Sequence, residues 1–211
     1  MQQADIDKYL TQAGAGDRHA IGTLLEGHRQ RLERLVMLRL DRRLRGRVDS
    51  GDVIQDVFLE AARRIPDYVR RPNMPFYLWL RFLTAQRLQA LCRENLGAQK
   101  RDVRREQPTA GRAYPEASSE ILAAQMIGKF TTPSQALFRA ERKVYLRQAL
   151  EAMDDTDREI LALRHFEELG NDEVAHLLGL GKAAASKRYI RAIKRLKMTL
   201  DKVSGLSELP G

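Results

Sequence analysis

Apolar residues recur along this chain at the three-and-four spacing of an α-helix, and the alternating Val/Ile/Thr-rich runs that form half-buried strands are missing. That pattern restricts the chain to an all-α architecture. The helical period breaks down clearly once, at Gln107-Pro-Thr-Ala-Gly-Arg-Ala-Tyr-Pro-Glu-Ala-Ser-Ser119, a run of helix breakers and small polar residues. Two small helical domains are therefore expected, over 1–105 and 139–205. A linker over 106–138 joins them, and its second half, Ile121 to Ile127, has the makings of a short helix.

Charge narrows the range of partners. Lys and Arg total 37 against 28 for Asp and Glu, a net charge of +9, which favours a polyanion such as nucleic acid or an acidic membrane surface. Cys92 is the only cysteine, so neither an intrachain disulfide nor a thiolate metal cage can form. The N-terminus (Met1-Gln-Gln-Ala-Asp-Ile-Asp7) lacks the basic-then-apolar order of a signal peptide. No apolar run approaches the ~20 residues that span a bilayer. The expectation is a cytoplasmic protein with no membrane association.

In the first domain a helix beginning near Asp17 carries Ile21, Leu24, Leu25, Leu32, Leu35 and Val36 at core spacing. A second helix, about Asp52 to Ile65, turns Val53, Ile54, Val57, Phe58, Ala61 and Ile65 to one side. Asp52, Gln55, Asp56 and Arg63 fall on the other side, with Leu59 among them. A leucine amid carboxylates marks either a protein-docking surface or a solvated face with one stray apolar residue. Pro66 and Pro75 bracket an expected loop, Asp67-Tyr-Val-Arg-Arg-Pro-Asn-Met74. The helix after it, about Phe76 to Glu94, is apolar all round at first and then strongly cationic, with Arg81, Arg87, Arg93, Lys100, Arg101, Arg104 and Arg105 in and beyond it. Two readings stay open: a stacking platform beside a phosphate-tracking groove, or core aromatics followed by a solvated helix end.

The second domain has the sharper local signal. Thr156-Asp-Arg-Glu159 has the capping-box pattern and opens a helix that stops at Gly170. Asn171 is placed to cap a second helix, ending at Gly179, and Leu180-Gly181 turns into a third that runs to about Val203. Residues 171–193 thus have helix-turn-helix spacing, with small Ala175 at the crossing and Gly179 in the turn. On the third helix Ala185, Tyr189, Ile193, Leu196, Leu200 and Val203 fall within an ~80° arc. Lys187, Arg191 and Lys194 oppose them, flanked by Arg188 and Arg195, and no acid occurs from 181 to 197. Such a helix can enter a major groove, with Ala183 and Ala184 allowing close approach, while a three-helix bundle with a basic solvated face is the plainer alternative. Residues 151–173 have the reverse bias, acid-rich with only Arg158 and Arg164 against it.

Taken together, the two blocks resemble an RNA polymerase sigma factor of the extracytoplasmic-function type, which keeps regions 2 and 4 of that family. Gly51-Asp-Val-Ile-Gln-Asp-Val-Phe-Leu59 is similar to the region 2 helix that docks on the polymerase clamp. Phe76-Tyr-Leu-Trp-Leu-Arg-Phe-Leu-Thr-Ala-Gln-Arg87 is similar to the stretch that opens and reads the −10 element. The segments 150–179 and 183–196 resemble region 4, whose last helix reads the −35 element. The resemblance covers about 17–105 and 139–200, and the linker is too short for a region 3 domain. This chain departs from many relatives at Ala184 and Ala185, and its 67–75 loop has its own sequence.

The resemblance implies that Asp52, Gln55, Asp56 and Leu59 meet core RNA polymerase. It implies that Tyr68 and Asn73 serve the capture of an unstacked −10 base, and that Arg81, Arg87 and Arg93 hold the strand backbone. Trp79 is assigned to the core. At the −35 element it implies Ala183, Ala184, Ser186, Lys187, Arg188, Arg191, Lys194 and Arg195. Its partners are core polymerase and promoter DNA, with room for an anti-sigma factor, and the free chain is a monomer. A helix-turn-helix regulator acting without polymerase is the rival. His19, His28, His165 and His176 lack metal-ligand spacing, and no phosphate-cradling glycine loop or nucleophile elbow occurs. No catalysis and no cofactor are expected.

Overall fold

In a computed structural model, residues 2–96, 116–130 and 136–206 are described, and they are helical throughout apart from short turns. The chain divides into two compact units, Met1–Pro115 and Glu116–Gly211. Of the arginine run, Lys100, Arg101, Arg104 and Arg105 lie outside the described residues, as does most of the breaker-rich stretch.

The first unit holds α1 (Gln3–Gly14), α2 (Arg18–Glu26), α3 (Arg29–Arg39), α4 (Ser50–Arg70) and α5 (Phe76–Leu96). Helix α1 precedes the first helix that the apolar period marked, near Asp17, and it packs on α2 and α4. Its last residue must be small: a Cβ on Gly14 would lie 2.9 Å from a Val69 methyl. Asp17 caps α2, its Oδ1 accepting from the amides of His19 and Ala20 at 2.8 and 3.2 Å. The single helix expected from Asp17 onward is two, broken at Gly27–His28, where His28 is buried against the rings of Phe76 and Tyr77.

Asp49 caps α4 through the Gly51 amide at 2.6 Å. The helix does not stop at Pro66 but continues to Arg70. Proline removes one backbone hydrogen bond from a helix. The apolar register runs on through Ala61, Ile65 and Tyr68, and burying that tyrosine outweighs the lost bond. The loop expected over 67–74 therefore shrinks to 71–75. At the start of α5, Phe76, Tyr77, Leu78, Trp79 and Leu80 are all buried, as an all-round apolar segment requires.

The second unit holds α6 (Ser119–Phe130), α7 (Ala136–Glu151), α8 (Asp155–Leu161), a π-helical turn (Ala162–Phe166), α9 (Asn171–Leu178) and α10 (Lys182–Leu206). Helix α6, within the expected linker, buries Leu122, Ala123 and Met126 and packs on α7. It is part of the second unit's core rather than a spacer. The cap of α8 is Asp154, not Thr156: its Oδ1 accepts from the Thr156 and Asp157 amides at 2.9 and 3.3 Å. The cap of α9 is likewise Gly170, whose amide donates to Glu173 at 2.8 Å. Asn171 has a different task, its side-chain amide donating to the Lys182 carbonyl across the turn at 3.0 Å. Gly179 ends α9 in the left-handed region at φ 63°, a conformation glycine adopts without a Cβ clash. Ala175 is buried at the helix crossing, and its carbonyl accepts from the Leu180 amide at 2.9 Å.

Candidate functional site

Two helices present surfaces that their own units leave uncovered. On α4, Asp52, Gln55, Asp56 and Leu59 are all exposed, at positions i, i+3, i+4 and i+7 of one stripe. Leu59 is 54% exposed although its neighbours on the buried side, Val57 and Ala61, are at or near zero. Asp56 is paired with Arg87 of α5 at 2.9 Å, and Arg87 also approaches Glu94 at 3.4 Å. Arg87, expected on a DNA strand, is thus engaged with the acidic face instead.

The 71–75 loop connects the far end of α4 to α5. Asn73 is exposed at its tip. Tyr68 is not a loop residue: it lies on α4, is 8% exposed, and stacks on Trp79 with ring centroids 4.8 Å apart. Its hydroxyl donates to the Met74 carbonyl at 2.8 Å, tying the loop down from beneath. Burial, and then the nearby Asp7, raise the Tyr68 phenol above its ordinary range. Tyr68, Phe76 and Trp79 together form an aromatic floor under the loop. Arg81 is 1% exposed and so has no surface to offer a phosphate as placed. Arg93 is exposed near the end of α5.

On α10 the cation run resolves into two groups. Ala183, Ala184, Ser186, Lys187, Arg191 and Lys194 are exposed. Ile190 stands among them at 49% exposure, an outward apolar residue that the period alone did not single out. Arg188 and Arg195 carry ion pairs to α8, Arg188 half-buried and Arg195 still 60% exposed along its side chain. Arg188 Nε donates to Asp157 at 2.9 Å and its terminal nitrogen to Asp154 at 2.7 Å, while Arg195 takes the other Asp157 oxygen. Asp157 is 2% exposed. The sequence signal for it was present: it lies three and four residues before Ile160 and Leu161, in the buried register of α8.

The four histidines form no ligand set, and the described residues contain no cluster of three or more His, Cys, Asp or Glu fit for a metal. His28 is buried without a hydrogen-bond partner at either ring nitrogen among the described residues. Burial, reinforced by the positive charge of Arg31, lowers its pKa to about 4. His165 accepts from or donates to the Tyr189 hydroxyl at 3.0 Å, linking the π-helical turn to α10. No described helix is long and apolar enough to cross a membrane.

Comparison with known proteins finds relatives over nearly the whole chain. Residues 135–196 match the family described as Sigma-70, region 4. The chain is 30% identical over 197 residues to the ECF RNA polymerase sigma factor SigD of Mycobacterium tuberculosis, covering 93% of this chain and 84% of that protein. It is 27% identical over 215 residues to the RNA polymerase sigma factor CnrH of Cupriavidus metallidurans, covering 95% and 97%. The solved structure of CnrH in complex with the cytosolic domain of CnrY superposes with a TM-score of 0.53 at 20% identity, covering 94% of this chain and 98% of that one.

Proposed function

This chain belongs to the extracytoplasmic-function family of RNA polymerase sigma factors, directing transcription initiation, and from that premise we propose how its surfaces divide the work. The α4 stripe of Asp52, Gln55, Asp56 and Leu59 docks on the polymerase clamp. The observation that carries this is Leu59, a large apolar side chain left 54% exposed beside the acidic residues of the same stripe. An apolar centre inside a polar rim is the anatomy of a protein interface.

The 71–75 loop, with Asn73 at its tip and the Tyr68–Phe76–Trp79 floor beneath, receives an unstacked base of the −10 element, with Arg93 on the strand backbone. Tyr68 shapes that loop and does not touch the base. On α10, Ala183, Ala184, Ser186, Lys187, Arg191 and Lys194 face the −35 element in the major groove. The domain division follows the same logic, one unit for polymerase and −10 contacts and the other for −35 contacts, with the protein working in the cytoplasm. CnrH has been solved bound to a second protein, the cytosolic domain of CnrY. That complex supports a partner of anti-sigma type for this chain as well.

The test is co-migration with bacterial core polymerase on a sizing column, followed by run-off transcription from a genomic template library. A stable complex and a defined set of start sites are expected. A chain that binds promoter DNA tightly and sequence-specifically by itself, yet leaves core enzyme untouched, overturns the division in favour of a polymerase-independent regulator.

A further inference from the structure

Of the described side chains of α10, Ala185, Ala192 and Leu196 are buried, and the two alanines offer little relief to stop one helix rotating against another. What fixes the angle of α10 is polar. Arg188 and Arg195 lie seven residues apart on one flank of the helix, and both end on the same buried carboxylate of α8. Arg188 adds a second bond to Asp154, the residue that caps α8. Two attachments two turns apart resist both rotation and sliding. The Tyr189 hydroxyl with His165 is a third, neutral point of contact.

We propose that Asp157 is the positioning residue of the −35 interface, setting the rotation of α10 through the two arginines that end on it. It cannot touch DNA itself at 2% exposure. Its influence reaches the bases through helix angle, since base-edge hydrogen bonds tolerate errors of only about 0.5 Å and 10–20°. The inference rests on α10 reading the −35 element.

The experiment compares the full chain and its Asp157→Asn variant, each with core polymerase, on barcoded templates randomised across the −35 element. Salt dependence of binding to a random-sequence duplex is measured in parallel. Asn removes the charge while keeping shape. The spread between best and worst −35 sequences is expected to fall about 10-fold. The salt slope on random duplex should rise by about 1 to 2, as each freed arginine releases close to one counterion. Asp157→Glu restores the charge and should recover the spread to within about 2-fold. If Asp157→Asn loses helix content by circular dichroism, the template comparison is made on Arg195→Gln, which removes one arm and should narrow the spread about 3-fold.

A purely structural Asp157 gives a different result: lower total output with the ranking and spread of −35 sequences unchanged and the salt slope unmoved. That outcome overturns the proposal. A wild-type chain with no −35 preference at all removes the groove reading first, and this inference with it.

Discussion

Helices α4 and α10 each carry a stripe of one charge sign, and the two stripes are built differently. On α4 the side chains that define the stripe all remain at the surface, Leu59 among them. On α10 a longer run of one sign is sorted, some cations unpaired by α8 and two tied to Asp157. Charge density along a sequence therefore does not measure the charge a surface presents. A single buried carboxylate on a neighbouring helix pairs with two of the positive groups, one half-buried and one still exposed. The units also differ in how they bury a titratable side chain. The first encloses His28 with no hydrogen bond at either nitrogen among the described residues, whereas the second surrounds Asp157 with guanidinium donors. One stays neutral to be tolerated; the other stays paired.

The strongest challenge to the comparison is charge reversal on α4. Asp52→Lys with Asp56→Lys is expected to reduce specific run-off transcription about 100-fold, a loss of roughly 3 kcal/mol of docking. Helix content should hold, since the exposed Asp56–Arg87 pair is worth at most about 1 kcal/mol. Near-normal specific transcription from this variant removes α4 from the polymerase interface.

The contrast between the buried groups appears in pH dependence. With the His28 pKa lowered from 6.5 to about 4, the unfolded chain takes up a proton that the folded one refuses. Stability present above pH 6.5 is then lost as pH falls toward about 4, by about 3 kcal/mol. His28→Leu should flatten that limb in urea titrations run from pH 7 to 4. An unchanged limb means the histidine is not neutral in the fold.

Leu59→Ala separates docking from folding. A half-exposed leucine contributes little to its own core, so the melting temperature should stay within the change expected for about 0.5 kcal/mol. Affinity for core polymerase, followed by fluorescence anisotropy, should fall by about 1–2 kcal/mol if the residue anchors an interface. On α10 the smallest effect is also the most diagnostic. Lys187→Ala should lower the salt slope on random duplex by about 0.9, while Arg188→Ala leaves it unmoved and lowers the melting temperature instead. Equal slopes for both variants erase the distinction between free and clamped cations.

Much of this was legible from residue spacing. The all-helical class, the exposed stripe around Leu59, the core placement of Trp79 and the glycine turn at Gly179 all follow from the 3.6-residue period and from which residue types tolerate a left-handed backbone. What escaped were places where tertiary burial overrides local signals. Pro66 reads as a stop, but Tyr68 continues the buried register beyond it. Gly27 and His28 interrupt no apolar period, yet the chain turns there to seat His28 against Phe76 and Tyr77. Arg81 reads as the start of the cationic run that continues at Arg87 and Arg93, while the all-round apolar start of α5 already placed that turn inside. Asp157 and its arginine partners are separated by 31 and 38 residues, a distance over which one sequence carries no pairing signal.

The aromatic floor under the 71–75 loop gives the protein a built-in optical gauge. Trp79 is the chain's only tryptophan, and it is stacked on Tyr68, whose hydroxyl is fastened to the loop backbone. Any event that lifts or tightens the loop must disturb that stack. Excited at the red edge, where its six tyrosines scarcely absorb, the unlabelled protein emits from one ring at one place, and that emission reports on the loop without a dye.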